Sequence, residues 1–145
     1  MYSAKINIGS EPEVVNMKSF DFAEVAKEIE CKWVQPVDVY VDGKHYVVLC
    51  DEEGKKKDHF TYTGFRGGRN PLSGRVEVDA FVNSFLVCKI RKYKGEMIYT
   101  GLNETDMEIL SDRIMMVSDP NRGQYGDQLF MNFTSLCNED LAKEM

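Results

Sequence analysis

The stretch Lys44 to Gly54, KHYVVLCDEEG, constrains this chain more than any other. Five apolar residues (Tyr46, Val47, Val48, Leu49, Cys50) follow one another without a polar break and run into an acidic turn closed by glycine. So short an unbroken run reads as a buried central strand followed by a turn. Just upstream, Trp33 to Val41 sets Val37, Val39 and Val41 on one strand face. Pro36 marks that strand as an edge or a bulge, because proline has no N–H to give to a ladder. Asp42-Gly43 joins the two runs and is a strong two-residue hairpin signal.

The rest of the chain is organised around this hairpin. Tyr2 to Ile8 alternates apolar and polar residues, Gly9 to Pro12 is a turn, and Glu13 to Met17 can return as a second arm. Asp21 with Glu24 reads as a capping box, and Phe22, Val25, Ala26 and Ile29 form one apolar stripe on a helix ending near Cys31. Phe60 to Gly74 is rich in glycine and arginine and poor in periodicity, which predicts a long loop. Arg75 to Ala80, Val82 to Ile90 (interrupted at Asn83-Ser84) and Glu96 to Thr100 read as strands, with a turn at Lys94-Gly95. Asn103 can cap a second helix, with Leu102 stapled to Met107. Its predicted buried stripe is Met107, Leu110, Ile114 and Val117, with Asp119-Pro120 as the stop. Leu129 to Phe133 reads as a short strand. The expectation is a single α+β domain over residues 1–137, with a mainly antiparallel sheet, two amphipathic helices and a frayed polar tail over 138–145.

At 145 residues the chain can bury a real core. No segment approaches eighteen consecutive apolar residues, and the start MYSAKINIGSEPE lacks a signal-peptide pattern, so no membrane partner is expected. The four cysteines (Cys31, Cys50, Cys88, Cys137) form no CxxC, which argues against zinc ribbons and redox motifs and fits reduced thiols in a cytoplasm. No cofactor or metal is expected. The net charge of -6 conceals a segregation. Residues 1–54 carry -6, residues 55–95 carry +7 from ten basic and three acidic residues, and residues 96–145 carry -7. The basic block is the candidate site for an anion, unless the blocks simply neutralise each other across the fold.

The order of parts around KHYVVLCDEEGK resembles a family of small phage- and plasmid-borne proteins catalogued as domain of unknown function 3846. A helix precedes Val47 to Cys50, Glu52-Glu53 and Gly54-Lys55; the apolar strand Phe81 to Ile90 and the helix opening Leu102 to Asp106 continue the likeness. It spans roughly residues 5 to 117. The long Arg/Gly segment and the C-terminal residues depart from it. The resemblance implies provenance rather than activity: a bacteriophage or mobile-element accessory protein acting in the cytoplasm of a bacterial host.

Within the basic block, Phe60, Tyr62 and Phe65 offer ring faces for stacking, and Arg66, Arg69 and Arg75 offer forks for phosphate. Gly64, Gly67 and Gly68 would let backbone amides approach an anion. This composition suits a nucleotide or another phosphorylated ligand, although no Walker loop is present. Catalysis is weakly supported. His45 and His59 are the two histidines, Asp58 lies beside His59, and Cys50 lies in a core-like run that keeps a thiol inert. The chain therefore reads as a non-enzymatic binder that sequesters a nucleotide immune signal, with a homo-oligomer helping to enclose it. The alternative is an acidic interaction module, presenting Glu52-Glu53, Glu104, Asp106, Glu108 and Asp112, that inhibits a host protein or mimics nucleic acid.

Overall fold

The structure, a computed structural model, describes residues 1–7, 12–57, 62–69, 72–118 and 127–134. Tyr2–Ile6 (β1) and Glu13–Asn16 (β2) form the expected opening hairpin, and helix Phe22–Ile29 (α1) follows. Val34–Val41 (β3) and Lys44–Asp51 (β4) pair across Asp42-Gly43, where both residues take positive φ (51° and 78°) as a two-residue turn of this hand requires. Then come Tyr62–Arg69 (β5), Val76–Val82 (β6), Phe85–Tyr93 (β7) and Glu96–Thr100 (β8). Glu104–Ser111 (α2), Ile114–Ser118 (β9) and Asp127–Thr134 (β10) complete the chain.

The strands form two sheets. The first runs β2-β1-β7-β4-β3, with β8 added on β7; the second runs β6-β5-β10-β9. All pairings are antiparallel except β5 with β10. Each face of β4 enters a different core, which explains its unbroken apolar run. Val47 and Leu49 pack with Leu86, Cys88 and the α1 residues Val25 and Ile29. Tyr46, Val48 and Cys50 pack the other way, with Phe81, Met131 and Phe133 of the second sheet and Leu110 of α2. The layers are thus helix, sheet, and then a second sheet with a helix beside it. Pro36 lies on β3, the edge strand, as its missing donor demands.

Three expectations change. Within the long loop expected over residues 60–74, Tyr62–Arg69 is a strand: β5 pairs with β6 on one side and β10 on the other. Glycines that weaken a local strand signal are required here by close packing. A Cβ at Gly67 would lie 2.2 Å from the Glu77 carbonyl oxygen, and one at Gly64 would lie 3.0 Å from that of Met131. These glycines serve strand-to-strand contact rather than an anion nest. The second helix stops at Ser111, and Ile114 and Val117 belong to β9, which pairs with β10. Four consecutive apolar residues, Ile114 to Val117, fill a strand better than one helix face. Asp21 stands at the N-cap of α1 without a side-chain cap bond, so that capping box does not form. The box at Asn103 does: the Asn103 side chain accepts from the Asp106 amide, and Asp106 accepts from the Asn103 amide, both at 2.9 Å. The tail over 138–145, with Phe60 and His59, lies outside the described residues.

Candidate functional site

Residues of β3, β4, β5 and β6, with the turn that follows β4, line an open cleft of about 140 Å³. Val37, Cys50, Phe81 and Val82 give it apolar walls; Lys55, Arg66 and Asp79 line its polar side. Alternation along β5 turns Arg66 to the same side as its ladder partner Asp79. The single-turn 3₁₀ helix Gly54–Lys56 brings Lys55 to that carboxylate from the end of β4. The Lys55 ammonium donates to Asp79 Oδ1 at 2.7 Å, and Arg66 Nε lies 3.7 Å from Oδ2. Arg66 Nη1 also donates to the Asp38 carbonyl at 3.2 Å, tying the second sheet to the β3 edge. Burial alone would raise the Asp79 carboxyl, but Lys55, Arg66 and the Ala80 amide outweigh it and hold the group below the ordinary carboxylate range.

The rim of the cleft is balanced in charge. Asp51, whose side chain is almost wholly buried, pairs with Lys57, and Glu52 is exposed beside it. Burial, with Asp51 nearby, pushes the Cys50 thiol up to about 12. At neutral pH it is a protonated, unreactive group, and the cleft holds no activated nucleophile among the described residues. His45 stacks on Tyr40 and lies 2.7 Å from Asp38 Oδ1, on the β3–β4 hairpin and outside the residues lining the cleft.

The expected binding residues do not converge. Arg66 lines the cleft. Phe65, one position along, faces the opposite side of β5 and is buried, so it presents no ring face to solvent. Tyr62 is exposed and sits 6.1 Å from Phe65, centroid to centroid. Arg75 is exposed in the β5–β6 turn, four register steps beyond Arg66–Asp79, or about 13 Å along the strand. Phe60 and the side chain of Arg69 lie outside the described residues. Nothing local in the sequence marks Lys55 and Asp79 as partners. Their convergence depends on how β6 is placed against β4, for which a run of lysines and a lone aspartate give no signal.

A second polar cluster joins α2 to the first sheet. Tyr46, fully buried on β4, donates to Asp106 Oδ1 at 2.8 Å, and Lys89 of β7 lies 2.6 Å from Oδ2. Burial would raise the Asp106 carboxyl, but the Asn103 amide, Lys89 and Tyr46 together keep it below the ordinary range. Asp106 is 3% exposed and so leaves the acidic face expected of α2. Glu104, Glu108 and Asp112 stay exposed.

Comparison with protein-family models, curated proteins and solved structures gave no match. What fold and cleft define is therefore a class: an α+β domain of two sheets, with a small charged cleft between them. No helix is long and apolar enough to cross a membrane among the described residues.

Proposed function

We propose that this chain binds a phosphorylated ligand, most concretely a nucleotide, and holds it without chemistry. One observation carries the reading: Lys55 and Arg66 reach from two elements onto a single, half-exposed oxyanion, Asp79, at the mouth of a cleft with apolar walls. Two converging cations around one oxyanion is the arrangement a phosphate group needs, with the half-buried Val37 the apolar wall most open to a base. At about 140 Å³ the cleft is well below the roughly 300–1,000 Å³ of pockets that enclose a drug-sized ligand. It would take the phosphate end, and a second protomer would supply the enclosure. The resemblance at KHYVVLCDEEGK supports an accessory protein of a phage or mobile element in a bacterial cytoplasm. In that setting, retention of a nucleotide immune signal is the sharpest form of the proposal.

The test is a thermal-shift screen against mononucleotides and cyclic oligonucleotides. A ligand at a hundred times its dissociation constant adds about 2.7 kcal/mol of stability. The shift should vanish in Lys55→Gln and grow in Asp79→Asn, which removes the competing carboxylate, and the nucleotide should be recovered intact. A shift indifferent to both changes would remove the cleft from consideration; turnover of the nucleotide would replace sequestration with catalysis. One observation favours the acidic-module reading: Glu104, Glu108 and Asp112 lie exposed along α2 with no ion pair among the described residues. In that case, charge reversal at these three positions would abolish capture of a host enzyme, and Lys55→Gln would not matter.

A further inference from the structure

The fold treats the basic block unevenly. Lys55, Lys57, Arg66 and Lys89 each lie against a carboxylate. Lys56, Arg75, Arg91, Lys92 and Lys94 form no ion pair among the described residues, and the last three sit on one structural feature. The first half of β7 is held between β1 and β4, through Phe85 to Cys88. Its second half, Lys89 to Tyr93, pairs with β8. Seven consecutive residues from Arg91 to Met97 are exposed, so the end of this hairpin stands out from the body as a two-stranded ribbon. Lys94 and Gly95 take φ of 49° and 82°, a tight two-residue turn that holds the ribbon in one register.

The ribbon presents an ordered surface. Tyr93 is 49% exposed, with the Arg91 guanidinium 5.5 Å and the Lys94 ammonium 5.3 Å from its ring centroid. Three cations stand against one carboxylate, Glu96, within these seven residues. On the opposite face Met97, 61% exposed, is the ladder partner of Lys92. A stackable ring between cations with planar and point-charge geometry fits a phosphodiester chain whose bases are unpaired. Ring and cations together match the alternation of base and phosphate along an unpaired strand. We infer that the β7–β8 ribbon is a contact site for single-stranded nucleic acid, with Tyr93 stacking on a base while Arg91 and Lys94 hold the flanking phosphates. The site is independent of the cleft.

Fluorescence anisotropy of the full chain with labelled oligothymidylate and oligouridylate of about a dozen nucleotides tests this, at about 50 mM salt. Binding should weaken with salt at a log–log slope of about -1.4, as for two phosphate contacts on a single strand. Tyr93→Leu should weaken it about tenfold. The triple change Arg91→Ala, Lys92→Ala, Lys94→Ala should abolish it; its side chains are exposed, so an unchanged melting temperature certifies the fold. Lys55→Gln should leave it intact, which separates this site from the proposed cleft. Absence of binding at low salt, or binding indifferent to the triple change, would overturn the inference. Equal affinity for a duplex with no effect of Tyr93→Leu would equally overturn it, leaving only a general attraction of charge.

Discussion

Asp106 and Asp79 are chemically the same group, each beside a lysine and each held below the ordinary carboxylate range, yet they belong to different kinds of site. Asp106 is buried where α2 meets the first sheet, and gathers the Asn103 amide, the Tyr46 hydroxyl and Lys89 around one carboxylate. Asp79 sits at the cleft mouth with its side chain half exposed, where water and salt compete for Lys55 and Arg66. Removal of one member from a buried, fully hydrogen-bonded cluster leaves the others desolvated and unpartnered, whereas an exposed pair contributes little and can exchange partners. The first arrangement locks α2 onto β4 and β7. The second is available to a ligand.

The largest expected effect comes from breaking the buried side of this comparison. Asp106→Ala removes half of the capping box and strands the Tyr46 hydroxyl, and should cost about 2–4 kcal/mol in urea unfolding. A loss below about 0.5 kcal/mol would show that the cluster is not the lock described here. Gly67→Ala should cost about 1–3 kcal/mol, because the new methyl meets the Glu77 carbonyl. An unchanged stability would mean that β5 and β6 can separate without consequence. The two carboxylates also predict acid sensitivity. A depressed carboxyl contributes stability that is present above its unfolded value of about 3.9 and is lost as pH falls through the folded value. Unfolding free energy should thus hold steady from neutral pH to about pH 5 and decline below about pH 4; Asp106→Asn should start lower and decline less. The smallest effect belongs to the cleft. Lys55→Gln should change stability by no more than about 0.5 kcal/mol, while altering the response to nucleotide. A larger structural cost would place Lys55 with the buried cluster and blur the distinction.

Much of the frame was legible in the chain, because its signals are local. Asp42-Gly43 specifies a turn by the backbone it permits, and Asn103 caps the helix that starts one residue later. The run Tyr46 to Cys50 announces burial before any partner is known. The site was far less legible. Arg66 was found in sequence, but its partners Asp79 and Asp38 lie 13 and 28 residues away. Phe65, chosen for its ring, was buried by alternation along a strand whose glycines made it resemble a loop.

What the sequence determined by itself was therefore the α+β class, the central hairpin, both helix starts and the uneven distribution of charge. Tertiary structure alone decided that residues 62–69 pair as a strand, that α2 ends before Ile114, and which cations of the basic block lie against a carboxylate. The physical reason is the range of the forces. Turn and cap preferences act within a few residues, whereas strand pairing, burial of a ring and neutralisation of a charge depend on which distant segment arrives beside them.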